Sequence, residues 1–242
     1  MNDEDKRYKS DIPDDAVEGL VSPYKREGTA ESGRISYENR VCTLADEIVG
    51  YRQYDEGGTL MIETPIKDGK PHGMRYSWDD DNDGNGPYLH LTEPYENGLV
   101  NGTASQWAPD GTLMGTYTLL HGAGYDLWRN FDEHGHLYLA EVHAMKDGGP
   151  HGYEWWLSED HRTVWKEVHW KDGQRHGIER LWDHEGNLDS GYPKFHVKDA
   201  IVDKETYLAA RQADPTLPEY RRQDDRNERI FPSKVHKAMQ LN

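Results

Sequence analysis

The chain has 242 residues, a net charge of -17, 34% hydrophobic content and a mean hydropathy of -1.03, long enough for one large or two small domains but poor in material for one thick core. The negative balance disfavours nucleic acid and membrane lipid as partners, because a phosphate surface rewards clustered Lys and Arg, and it favours a basic protein. Cys42 is the single cysteine, which excludes an intrachain disulfide and any cysteine-based metal cluster.

Taken in chain order, residues 1–46 are polar and lack a sustained apolar period of 2 or 3.6, so they are expected to form a disordered or loosely docked arm. No apolar h-region stands near the N-terminus and no later apolar run could span a bilayer, so the expected location is cytoplasmic. From Tyr51 the pattern changes to short segments rich in Val, Leu, Ile, Tyr and Trp, punctuated by glycine pairs.

Residues 47–190 carry the repeats. One turn has the form acidic or Asn, Gly, two variable residues, His or Asn, Gly, as in Asp68 to Gly73, Asn97 to Gly102, Asp147 to Gly152 and Asp172 to Gly177. A degenerate copy is His121-Gly122-Ala123-Gly124, in which either glycine could be the closing one. A second glycine turn lies between these, at Gly57-Gly58, Asp110-Gly111, His134-Gly135 and Glu185-Gly186. Two turns in each period of about 26 residues mean two strands per period. Gly, Asn and Asp suit such turns because they tolerate the positive φ of tight hairpins. An apolar residue recurs five positions after each closing glycine, as Trp78, Trp107, Leu157 and Trp182, which predicts a continuous stripe along one face. Strict alternation over Thr163 to Trp170 places Val164, Val168 and Trp170 together, opposite Trp165, Glu167 and His169.

The His-Gly turns, their spacing and the aromatic strand that follows them resemble the bacterial MORN-variant repeats of antitoxin-like proteins, over about Tyr51 to Leu188. The chain departs from that pattern at Asn101, where His is usual, in its third repeat, and near Asp160-His161, where a turn glycine is missing. The resemblance implies a mainly β fold, an elongated antiparallel sheet of stacked hairpins, with a recognition role and no chemistry. Residues 191–242 are expected to be a C-terminal cap with one short helix over Val202 to Gln212, Asp203 as its N-cap, and an extended proline-bearing tail.

A glutamate recurs in the strand before the doublet turn, as Glu63, Glu93, Glu141 and Glu167, and a residue repeated in every copy is expected to be scaffold. Residues that break the pattern are the functional candidates. Tyr125, Trp128, Trp155 and Trp156 are the expected partner-binding residues, since adjacent Trp155 and Trp156 must face opposite ways and Tyr125 and Trp128 sit in the most degenerate repeat. Asp79, Asp81 and Asp83 match the opening of a calcium loop, but His90 stands where a closing Glu is needed, so an acidic turn is expected. His134, His136 and His143 have a spacing compatible with zinc.

Between Glu47 and Asp189 stand 26 acidic and 11 basic residues, so the acidity belongs to the repeats. It fits a basic partner and equally fits plain solubility. The function expected is a protein–protein interaction scaffold with no catalytic residues, cofactor or metal, neutralising a basic protein in the manner of an antitoxin or immunity protein. Two alternatives stand beside it: a carbohydrate-binding module using the Trp-rich face, and a hydrolase using Glu141 and His143.

Overall fold

The structure is a computed structural model and describes residues 6–21, 38–80 and 86–240. The chain divides into two compact units, Met1–Thr116 and Tyr117–Asn242. Strands dominate both, and the expected class holds: antiparallel hairpins follow one another in chain order, and two short helices close the chain.

The first unit contains β1 (Val17–Leu20), β2 (Glu38–Leu44), β3 (Glu47–Tyr54), β4 (Leu60–Lys67), β5 (Lys70–Pro71), β6 (Gly73–Asp80), β7 (Pro87–Glu96), β8 (Leu99–Val100) and β9 (Gly102–Trp107). Pairing runs in order, β1 with β2, then β3, β4, β6, β7 and β9, each antiparallel to the last. The unit boundary falls within β10 (Leu113–Leu120). The second unit continues with β11 (Ala123–Phe131), β12 (Leu137–Lys146), β13 (Gly149–Leu157), β14 (Val164–Lys171), β15 (Gln174–Arg175), β16 (Gly177–Leu181), β17 (Lys194–Val197) and β18 (Ala200–Val202). They too pair antiparallel in order. Helices α1 (Lys204–Ala213) and α2 (Ser233–Met239) follow.

The doublet turns behave as their residues require. Asp147 and Gly148 both take positive φ, 51° and 78°, and Gly152 follows at 105°, a backbone that a residue with a β-carbon adopts only under strain. In the degenerate copy His121 and Gly122 form the turn, at 49° and 72°, and Gly124, at 148°, is the closing glycine. Turns of neighbouring repeats are tied by backbone bonds: Gly98 N–H donates to the Pro71 carbonyl at 2.8 Å, Gly148 to Gly122 at 3.1 Å and Gly173 to Pro150 at 3.0 Å. The second family of turns carries a device the glycines alone do not announce. Asp55, Asp132 and Asp183, each three residues before the glycine, accept the backbone N–H of Thr59, His136 and Asn187 at 2.7, 2.7 and 2.8 Å. Where the glycine is missing, His161 itself adopts φ 55° and Asp160 caps the loop through the N–H groups of Arg162 and Thr163.

Three sequence expectations need correction. The sheet begins before residue 47, because β1 and β2 lie within the segment read as an arm, and Ile12 is only 2% exposed, its side chain filling the space a Cβ on Gly50 would need. The repeat pattern also runs past Ser190, since β17 and β18 form one more hairpin on β16. These end hairpins turn at Ala45-Asp46 and Lys198-Asp199, all four residues at positive φ and none of them glycine. Finally, strict alternation fails at Val164. Trp156 pairs with Lys166 and Leu157 with Val164, so a bulge at Trp165 sends Val164 to the face of Leu157, away from Val168.

The cap is more structured than an extended tail. Asp203 caps α1, its Oδ1 accepting Thr206 N–H at 2.8 Å, as the sequence indicates. Tyr207 of α1 is buried with Ile178, Phe195 and Leu217 in a small core and donates its hydroxyl to the Pro218 carbonyl at 2.7 Å. Helix α2, not anticipated, packs on β12 with Val235, Ala238 and Met239 buried.

Candidate functional site

Antiparallel register sorts the recurring glutamates into two kinds, since residues directly opposite share a face. Glu63 pairs with Tyr76 and Glu167 with Trp155 and Arg180, ten residues before their closing glycines. Glu93 pairs with Arg75 and Glu141 with Trp156, which puts both on the opposite side of the sheet. Only Glu63 and Glu167 are equivalent, and both are buried, at 0% and 2% exposure.

A segment of the same unit lies over each of these two carboxylates. Glu63 accepts from Arg52 Nε at 2.7 Å and from the Tyr8 hydroxyl at 3.0 Å, and burial with the charge of Glu63 pushes the Tyr8 phenol up to about 12. Tyr8 stands edge-on to Tyr76 and Trp78, and Arg7 places its guanidinium 4.7 Å from the centre of the Trp107 ring. Glu167 accepts from Trp155 Nε1 at 2.8 Å, Arg180 Nη1 at 2.8 Å and Arg229 Nε at 2.7 Å. Arg229 lies 4.9 Å from the Trp182 ring centre, and Phe231 meets Trp155 edge-on. In each unit, then, the stripe that begins five residues after the closing glycine is an inner surface, covered by an arginine-bearing strap from the chain itself. These straps were not legible from the repeats.

This places the four expected partner-binding residues in two pairs. Tyr125, opposite Ala144, lies on the side of Leu127, Val142 and Trp155. Trp155 is 7% exposed, stacked on Tyr153 at 5.4 Å, its indole N–H used by Glu167. It is part of the packing under the C-terminal strap. Trp128 and Trp156 face the other way. They form a row across the sheet, Trp128, Glu141, Trp156, Lys166 and Leu181, at one height. Lys166 Nζ sits 4.3 Å over the Trp156 ring, and the bulge turns Trp165, 45% exposed, to within 6.1 Å of the Trp156 ring centre. Sequence reasoning did not single out Trp165, which strict alternation placed with Glu167 and His169.

One strand position along, His143 is clamped between Glu154 Oε1 at 2.6 Å and Glu141 Oε2 at 3.1 Å. Burial alone would push the imidazolium down, but hydrogen bonds to Glu141 and Glu154, with the charges of Glu154 and Asp126, hold it up to about 9. His143 is therefore a cation at neutral pH. A general base must be unprotonated when substrate arrives, so this geometry makes His143 a charge in a network rather than a base. Glu154 also accepts from Trp170 Nε1 at 2.7 Å, which ties the pair into the sheet.

The zinc spacing is not assembled. His134 and His136 lie exposed in a turn, with His136 Nδ1 on Asp132 Oδ2 at 3.0 Å, while His143 is on the sheet. Among the described residues no group of three or more His, Cys, Asp or Glu could hold a metal ion. Of the calcium-like stretch, Asp79 lies next to the end of β6, whereas Asp81 and Asp83 lie outside the described residues. No described helix is long and apolar enough to cross a membrane. In comparisons with known proteins no family model matches the chain, and no curated protein matches it.

Proposed function

We propose that this chain is a non-enzymatic protein-interaction scaffold of the MORN-variant type, binding a basic protein and neutralising it in the manner of an antitoxin or immunity protein. The observation that carries the proposal is the row of Trp128 and Trp156, joined by exposed Trp165, on the face of β11 to β14 opposite the buried glutamate and its strap. Large half-buried indoles are the side chains that anchor protein interfaces, because they bury much area for little conformational entropy. The acidic excess of the repeats supplies the preference for a basic partner and a fast, salt-sensitive encounter.

The test is a pull-down from native lysate on the immobilised chain at graded salt, beside a variant carrying Trp128→Ala and Trp156→Ala. The proposal expects a basic protein that binds the parent chain, is eluted by salt and is lost from the variant. Recovery of no protein at any salt, or of the same proteins by both chains, sinks it.

A further inference from the structure

Beside Trp165 the second unit has an open cavity of about 630 Å³, bordered by the Ser158 to Thr163 loop and the Asp183-His184 turn. Its apolar lining is Leu157, Val164 and Trp182, all nearly fully buried, with the exposed Trp165 at one side. Glu159, Asp160 and Asp183 supply three carboxylates to the lining, and no Lys or Arg lines it. Asp160 and Asp183 are fixed by the turns they cap, each accepting two backbone N–H groups on one oxygen. Burial opposes ionisation of Asp160 but those N–H donors lower its pKa, and the Asn187 N–H does the same for Asp183. Both therefore carry charge throughout the neutral range. The loop's own cation, Arg162, is exposed and outside the lining.

At Trp182, itself a lining residue, the fold already joins an indole and a carboxylate through an arginine. Arg229 lies over Trp182 while its Nε bonds Glu167. A guanidinium is planar, stacks on an aromatic face and donates in parallel to a carboxylate, which an ammonium cannot match. We propose that the cavity beside Trp165 is a docking pocket for an arginine side chain of the partner protein, stacked on Trp165 and paired with Glu159. This deepens the protein-binding reading and rests on it: the cavity adjoins Trp156 through Trp165, so a partner seated on the tryptophan row reaches it.

The test uses the full chain and a capped Gly-Arg-Gly-Arg-Gly peptide, with lysine and citrulline versions as controls, followed by calorimetry and by indole N–H shifts in NMR. The expected result is a shift of the Trp165 signal, tenfold or more weaker binding of the citrulline peptide, and weaker binding of the lysine peptide. Trp165→Ala and Glu159→Gln should each lower affinity at least fivefold, while Glu205→Gln, an equal charge change on α1, leaves it unchanged. Equal binding of the arginine and citrulline peptides, or no effect of Trp165→Ala and Glu159→Gln, overturns the pocket. If the peptide instead moves the Trp128 and Trp156 signals alone, the pocket is wrong and the basic-partner reading stands. Absence of any peptide binding together with an empty pull-down removes both.

Discussion

Glu167→Gln is the substitution that most sharply probes how the second unit holds its strap. The carboxylate is 3% exposed and receives three charge-assisted bonds, one from Arg180 and two from Arg229, besides the Trp155 indole N–H. An amide of the same volume keeps one acceptor oxygen and turns an NH₂ toward donors, leaving Arg229 without a counter-charge and Arg180 with Asp225 alone. Breaking one side of a buried ion pair costs about 3–5 kcal/mol. Arg180 keeps Asp225 at 3.1 Å, which favours the lower half of that range, about 3–4 kcal/mol. Against a total stability of roughly 5–15 kcal/mol, such a loss lowers a denaturation midpoint unmistakably. Because Asp224, Arg226 and Glu228 offer Arg229 only backbone carbonyls, Glu167 is the one carboxylate paired with Arg229 among the described residues. Amide exchange should therefore accelerate first across residues 226–240, which includes α2, before the strands of β13 and β14 open. Urea titration followed by exchange mass spectrometry reads both effects. A cost under about 1 kcal/mol with the strap still protected would refute the role assigned to Glu167.

Glu63→Gln should do the same in the first unit at smaller cost, about 2–3 kcal/mol, since one guanidinium and one phenol depend on it; exchange over residues 6–16 reports the release of that strap. Gly50→Ala places a methyl group where Ile12 sits, so the N-terminal strap should detach with about 1–3 kcal/mol lost, and a proteolytic cut before β1 should become faster; unchanged cleavage would contradict the packing. For His143 the folded pKa, about 9, lies above the ordinary value near 6.5, so its contribution is complete below pH 6.5 and disappears as pH rises through 9. Denaturation midpoints should fall over that window by the equivalent of roughly 1–3 kcal/mol, and His143→Gln should flatten that part of the curve. Gly152→Val, at φ 105° and against the Ala144 side chain, should cost about 1–3 kcal/mol and loosen residues 137–170 while the hairpin around Gly73 stays protected; uniform loss of protection would contradict nearest-neighbour stability.

Much of the hairpin series could be read directly because its turns advertise their chemistry. A glycine doublet declares positive φ, and five such turns set the strands from β4 to β16. The two end hairpins escaped because Ala45-Asp46 and Lys198-Asp199 reach the same backbone without glycine, which Asp tolerates through its short polar side chain. Sheet faces were less legible, since β-bulges at Trp128/Arg129 and Trp156/Leu157 each reset the two-residue alternation. Strict alternation accordingly put Trp165 with Glu167 and His169, and recurrence before the doublet turn grouped Glu141 with Glu167 although the register separates them. Burial of Trp155 depends on Phe231 and Arg229, far along the chain in a stretch with no repeat signal, and no local pattern carries such contacts.

The central claim, that a basic protein is held on the Trp128 and Trp156 face, is tested most directly by hydroxyl-radical footprinting of the chain alone and with the partner recovered at low salt. Trp128, Trp156 and Trp165 should lose reactivity in the complex, while Trp155 and Trp182, already buried at 7% and 4% exposure, should be equally unreactive in both states. Protection confined to other surfaces, with Trp128, Trp156 and Trp165 oxidised at unchanged rates, would contradict the claim.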